Sequence, residues 1–238
     1  MNQKKIIKNI IFDFGGVIIN IDFWRSINAF IALGAKNFDE LYSKTAQTKI
    51  FDDLDTGNIT PEKFCEEIKK ILPHQVTKQD IIDAWNAIII GIPEHHIRLL
   101  EKLRKNYRIF LLSNTNLLHY NVYTAELEKN YGYKNLSQLF DKVYLSHEAK
   151  LRKPNIDFYK RVLRENQLWP EETVFIDDSE QNLPPARELG IKTILLYNTT
   201  DISKLFVDGK LIPIPDDSNL LEKSHVFSIN DDFELNTN

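Results

Sequence analysis

Cysteine occurs once in this 238-residue chain, at Cys65. No disulfide can close within it, and a reducing cytoplasm is the expected compartment. Cys65 itself falls in a helical pattern and reads as a packing residue. Long apolar runs are also missing: none approaches the ~18 residues that a helix needs to span a bilayer. The opening MNQKKIIKNIIF sets basic residues ahead of apolar ones, but the run ends at Asp13 with no small-residue cleavage site. It does not read as a signal peptide. An excess of one charge is lacking too, with 30 Lys and Arg against 34 Asp and Glu and a net charge of -4. The basic residues are scattered, which excludes a nucleic-acid surface from the expectations. What is present is ordinary: 42% hydrophobic and 27% charged residues, enough for one domain, or a core with a smaller insertion.

The stretch from Ile6 to Ile21, IIKNIIFDFGGVIINI, organises the rest. An apolar β-branched run stops at Asp13 and is followed by Phe14, Gly15 and Gly16. Such a run bounded by glycines reads as a strand buried on both faces. Asp13 then stands at the carboxyl end of a central strand, where open α/β sheets place their chemistry. Taken alone it is equally a turn cap.

Residues 21–92 read as a helical insertion. Phe23, Ile27, Phe30 and Ile31 suit an amphipathic helix over Trp24–Leu33. Residues 52–60, DDLDTGNIT, read as a loop. Thr60 and Pro61 open another helix as N-cap and first residue, with Phe64, Ile68, Ile71 and Leu72 on its apolar face. A further helix is expected over Lys78–Ile90. From Pro93 strands and helices alternate, with strands at YRIFLL (107–112), KVYL (142–145), TVFI (173–176) and KTILLY (192–197). The expected fold is therefore α/β: a doubly wound, parallel, five-stranded sheet with an α-helical cap inserted after the first strand. Residues 1–20 and 93–207 form the core and 21–92 the cap. Residues 208–238 form an extension whose polar segments, 216–219 and 230–238, are expected to be mobile.

Three strands end in polar clusters: Asp13, Ser113-Asn114 and Asp177-Asp178. In a parallel sheet these ends share one edge. Arg152-Lys153-Pro154 is a fourth group, and Pro154 holds Lys153 extended. Carboxylates crowded together call for a cation between them, and oxygen-only donors suit Mg²⁺. Ser113, Asn114 and Lys153 are donors for phosphate oxygens. Each cluster alone has a plainer reading: a turn at Ser113-Asn114, a helix cap at Asp177-Asp178, a solvated lysine at 153. Their order at successive strand ends carries the argument.

These motifs resemble those of the haloacid dehalogenase-like hydrolase superfamily over roughly residues 6–200. IIFDFGG is similar to its first motif, LLSNTN to the second, RKPNIDFY to the third and VFIDDSEQN to the fourth. The resemblance implies Asp13 as nucleophile and Ser113 and Asn114 on the phosphate. It implies Lys153 bridging nucleophile and phosphate. Asp13, the Gly15 carbonyl and Asp178, with Asp177 beside it, are the implied Mg²⁺ site. The cap position resembles the family's C1 type, and TGNITPEKF and SNTNLLH resemble the subgroup of epoxide hydrolase phosphatase domains and sugar-phosphate phosphatases. One departure stands out: the family's second Asp, two residues after the nucleophile, is Gly15 here. Gly15 cannot protonate a leaving group, so the acid must come from the cap or from water, or the substrate must carry a good leaving group.

The expected function is Mg²⁺-dependent hydrolysis of a small phosphorylated metabolite, a sugar phosphate among the candidates, through an aspartyl-phosphate. A non-catalytic phosphate-binding or regulatory protein is the alternative. A dehalogenase fits less well, because it needs no carboxylate pair. Asp13-Phe14-Gly15 also spells the protein-kinase tripeptide, but too few residues precede it. A receiver-like phospho-acceptor would be half as long and uncapped. Further candidates near the site are His119, Arg25, Asp22 and the loop Asp55-Thr56-Gly57. His95 and His96, adjacent on a helix, are expected to diverge as a solvated pair. Small-molecule partners, a monomer or homodimer, and no nucleic-acid or membrane partner complete the expectations.

Overall fold

The structure is a computed structural model that describes residues 6–36, 38, 49–197 and 200–213. Its centre is a five-stranded sheet built from β1 (Asn9–Phe12), β4 (Arg108–Ser113), β5 (Lys142–Leu145), β6 (Thr173–Asp177) and β7 (Lys192–Leu195). The order is β5-β4-β1-β6-β7, and every pairing is parallel. Side chains alternate across this sheet. Ile10, Phe12, Ile109, Leu111, Val174 and Ile176 join one apolar cluster. Ile11, Phe110, Leu112 and Phe175 join another on the opposite face. Helices α5 (Glu94–Leu103) and α6 (Leu117–Tyr131) cover the first face through Ile97, Leu100, Tyr123 and Leu127. Helices α7 (Ile156–Asn166) and α8 (Leu183–Glu188) cover the second through Phe158, Val162, Leu183 and Ala186. With both faces covered, near-continuous apolar strands are what burial demands.

The segment between β1 and β4 forms a separate helical layer: α1 (Phe23–Ala32), α2 (Lys49–Asp55), α3 (Pro61–Lys69) and α4 (Lys78–Asn86). It has its own apolar centre, with Phe30, Phe51, Phe64, Ile81 and Trp85 buried together. Phe51 stacks on Trp85 at 5.3 Å between ring centroids. Capping chemistry sets where these helices begin. Asp22 accepts from the Trp24 N–H, Thr60 from the Lys63 N–H, and Thr77 and Asp80 form a reciprocal capping box. The layer joins the core through a two-stranded antiparallel ribbon, β2 (Asn20–Ile21) with β3 (Ile89–Gly91).

Three local expectations need correcting. The helix expected to run to Ile90 stops at Asn86, because the following IIIG segment pairs with β2. Asp52–Asp55, expected to be loop, is the last turn of α2. Ile71 is 46% exposed rather than part of an inner face, since α3 ends at Lys69. At the other end of the chain, Phe206–Val207 and Lys210–Leu211 make a small hairpin, and Phe206 packs against Phe12. The segments at 216–219 and 230–238 lie outside the described residues.

Candidate active site

The carboxyl ends of β1, β4 and β6 open into one cavity of about 140 Å³ beneath the helical layer. Asp13, Gly15, Ser113, Asn114, Lys153 and Asp178 line it from the core, and Ile21, Phe23, Asp55 and Ile88 from the cap side. Residues remote in sequence meet here because parallel strands place all their carboxyl ends on one edge.

Lys153 is the electrostatic centre. Its ammonium is 1% exposed and lies 2.7 Å from Asp13 Oδ1 and 2.6 Å from Asp177 Oδ2. Burial alone would strip its proton; the charges of Asp13 and Asp177 outweigh burial and hold it above its ordinary value. Asp13 shows the opposite balance. Burial lifts its carboxyl against the pull of Lys153, and the neighbouring Asp177 and Asp178 add to the lift. An added cation would restore its ionised form.

Asp177 is fully buried and saturated: it accepts from Lys153, from the Ser179 N–H at 2.7 Å and from Asn182 Nδ2 at 2.9 Å. It therefore positions Lys153. Asp13, Asp177 and Asp178 offer carboxylate oxygens within 4.8 Å of one another. An all-oxygen donor set of this kind fits a hard divalent cation. Gly16, at φ +74°, lets the backbone pass beside Asp178: a Cβ there would lie 2.4 Å from Asp178 Oδ2.

Asn114 lines the cavity, and its side chain is also tied to the Lys153 backbone. Its carboxamide donates to the Lys153 carbonyl at 3.0 Å and accepts from the Lys153 N–H at 2.8 Å. Both ends of the side chain thus hold the lysine backbone in place. Ser113, 2% exposed, remains at the cavity wall.

The roof is latched to the core by polar contacts. Asn116 Nδ2 donates to Asp55 Oδ1 at 3.0 Å, and Ser146 Oγ donates to the Asp55 carbonyl. Arg152 pairs with Asp52, and Lys150 Nζ donates to the Gly57 carbonyl. His119 lines the cavity and stacks on Trp85 at 5.0 Å. Its Nε2 lies 3.2 Å from the Trp85 carbonyl, which only accepts, so Nε2 carries the proton and Nδ1 accepts from Asn116. Burial pushes the His119 imidazole down to about 4, so it is a neutral latch near pH 7.

Asp55 is the roof's one carboxylate on the cavity among the described residues. It is 8% exposed, and burial raises it to about 6 against the hydrogen bond from Asn116. Of the other expected neighbours, Arg25 is exposed on α1 and Asp22 caps that helix. Thr56 Oγ1 donates to the Asp52 carbonyl at 2.7 Å. None of these three lines the cavity. Asn182, which does line it, was missed; its only sequence signal is its place at the end of VFIDDSEQN. Outside the crevice, His95 and His96 do not diverge. Both rings converge on Asp201, a partner that comes from the far end of the chain.

A doubly wound parallel sheet with a helical layer over a carboxylate-lined crevice at its carboxyl edge defines a capped α/β protein whose site lies at the strand ends. The family model for haloacid dehalogenase-like hydrolases matches residues 10–196, and the chain belongs to that family. A D-ribitol-5-phosphate phosphatase of Bacteroides thetaiotaomicron is 32% identical over 196 residues, covering 82% of this chain and 95% of its own. A crystal structure of a haloacid dehalogenase family enzyme from the same organism, a mutant complexed with magnesium and inorganic phosphate, superposes with a TM-score of 0.77. It shares 38% identity and covers 84% of this chain and 99% of its own. A predicted hydrolase of the family from Porphyromonas gingivalis gives a TM-score of 0.73 at 32% identity, covering 82% of this chain and 93% of its own.

Proposed function

We propose that this protein hydrolyses the phosphate monoester of a small polyol or sugar, with Asp13 as nucleophile and Mg²⁺ held by Asp13, the Gly15 carbonyl and Asp178. The observation that carries this reading is the buried Asp13–Lys153–Asp177 bridge beside Ser113. It supports a carboxylate able to approach a phosphate dianion, because Lys153 offsets the repulsion between them. The relatives support the substrate class: one is named a D-ribitol-5-phosphate phosphatase, and another was solved with magnesium and inorganic phosphate. Mg²⁺, when bound, supplies Lewis-acid stabilisation of the phosphoryl oxygens.

Asp13 Oδ attacks phosphorus, the P–O bond to the alcohol breaks, and an aspartyl-phosphate forms. Water then attacks that phosphorus, releasing inorganic phosphate and regenerating Asp13. In-line displacement sends the leaving oxygen away from Asp13, toward the roof. Gly15 offers no acid there, and His119 has both ring nitrogens engaged. Asp55 is the group that faces the departing alkoxide with a carboxyl raised by burial, so it supplies the proton.

Phosphate release from ribitol 5-phosphate and a panel of polyol and sugar phosphates, with Mg²⁺ and with a chelator, tests the activity. In Asp55→Asn, turnover of alkyl phosphates is expected to fall about 10²–10³-fold while p-nitrophenyl phosphate, with its good leaving group, is nearly unaffected. Adding Gly15→Asp to that variant should restore alkyl-ester turnover. The new Cβ would meet Ile21 Cδ1 at 3.1 Å, a flexible tip that can yield. Equal losses on both esters would remove Asp55 from the acid role.

Gly16→Ala tests the cation site. Its methyl would collide with Asp178 Oδ2 and Cγ, and a left-handed backbone costs a non-glycine residue roughly 1–2 kcal/mol. The Mg²⁺ concentration for half-maximal activity should rise at least about tenfold, as expected when a ligand's support is disturbed. An unchanged Mg²⁺ titration would place the cation elsewhere.

A further inference from the structure

We infer that His95, His96 and Asp201 form a second metal site, outside the phosphate crevice, for a divalent transition ion of the Zn²⁺ class. His95 and His96 lie in the first turn of α5, and Asp201 caps the short 3₁₀ turn over Ile202–Leu205. Asp201 Oδ2 is 2.7 Å from His95 Nε2 and 3.3 Å from His96 Nε2. All three donor atoms fall within 4.8 Å of one another.

The hydrogen bonds around the cluster assign the lone pairs. His96 Nδ1 lies 2.8 Å from the Ile18 carbonyl, which can only accept, so Nδ1 carries the proton. Nε2 is then the ring nitrogen turned toward the Asp201 carboxylate, 3.3 Å from Oδ2, in a side chain only 5% exposed. The Asp201 oxygen and both Nε2 atoms converge on one point, where a cation would be held by all three. Asp201 is oriented in the same way: its Oδ1 accepts from the Ser203 N–H at 2.8 Å, leaving Oδ2 toward the rings. A histidine donating its far nitrogen to a carbonyl, beside a carboxylate held by its own hydrogen bond, is the outer-shell arrangement that steers ligands onto metals.

The distances also fit. Ligands about 2.0–2.1 Å from a tetrahedral ion stand roughly 3.3 Å apart. The His96–Asp201 separation already matches. The His95–Asp201 pair must open by about half an ångström on that geometry, on the exposed side of the cluster, where the His95 side chain is 56% exposed. Water would take the fourth position. Two imidazoles and one carboxylate favour a borderline ion such as Zn²⁺ over Mg²⁺, which separates this site chemically from the all-oxygen crevice. Through Ile18, such an ion would tie the start of α5 to the segment that leaves the nucleophile strand.

The test uses untagged, metal-stripped protein with excess Mg²⁺ to fill the crevice, and Zn²⁺ titrated by calorimetry. Co²⁺ serves as a second probe, read by its visible absorption. One Zn²⁺ per chain is expected, with an intense tetrahedral-type Co²⁺ spectrum and a rise in melting temperature. His95→Ala and Asp201→Asn should each weaken Zn²⁺ binding at least about tenfold and abolish the thermal shift, with Mg²⁺-dependent phosphate release unchanged. Asp201→Asn keeps the acceptor for Ser203, so the fold is retained. Zn²⁺ binding of equal strength in wild type and Asp201→Asn, or none beyond that displaced by Mg²⁺, would overturn the site and show that only a proton sits between these groups. Neither outcome bears on the phosphatase reading, which is scored by phosphate release alone.

Discussion

Asp13→Asn should reduce phosphate release to background, a loss of at least about 10⁴-fold, as removal of a catalytic nucleophile generally does. The substitution changes one atom group and keeps the volume. The amide oxygen still accepts from Lys153, so the 2.7 Å contact survives. What is lost is the charged oxygen that bonds to phosphorus. The same change should not weaken the fold. Burial raises the Asp13 carboxyl above its ordinary range, so the folded state holds its proton at pH values where the unfolded chain has released it. Stability then falls as pH rises through that window, and the amide, which does not titrate, removes that slope. Measured without Mg²⁺ near pH 7, the variant's melting temperature should equal or exceed the wild type's. A catalytically dead variant that also melts earlier would mean that Asp13 is a structural ion-pair partner; a variant that still turns over would exclude it as nucleophile.

Much of this site was legible in the sequence because of one geometric fact: parallel strands share a carboxyl edge. Asp13, Ser113 and Asp177 each end an apolar run, and the sheet order brings those ends together. Periodicity was weakest where a short run serves two structures equally well. Ile88–Ile90 continues a helical pattern, yet the backbone of Ile89–Gly91 pairs with Asn20–Ile21, a partner that no local signal names. The roles that stayed hidden depend on contacts across long intervals. Nothing local to Asn114 shows that its carboxamide also holds the Lys153 backbone at both ends. Asp55 lies in a stretch of turn-forming residues; only the fold of the cap makes that stretch a helix end over the cavity. His95 and His96 diverge on an isolated helix, and only Asp201, folded across the helix start, draws both rings inward.

Lys153 carries the second large effect, and its two duties can be separated. In Lys153→Met the side chain keeps its length and the packing against Phe175, whose ring centroid lies 5.4 Å from Nζ. It loses the charge that Asp13 and Asp177 share. Removing one partner from a buried ionic cluster destabilises by about 3–5 kcal/mol, which urea unfolding would read as a lower midpoint. Activity should fall at least about 10³-fold, because no fixed cation then faces the phosphate as charge builds up. Lys153→Arg should fare little better in activity, since a planar fork cannot place one donor between two carboxylates as an ammonium does. Mg²⁺ distinguishes the two duties. Added to Lys153→Met, it should recover part of the lost stability by neutralising the carboxylates, without recovering turnover, because the Asn114-held position of Nζ stays empty of charge. If Mg²⁺ restored both together, Lys153 would serve only to keep the carboxylates apart, and the phosphate would be held by Ser113 and the metal alone.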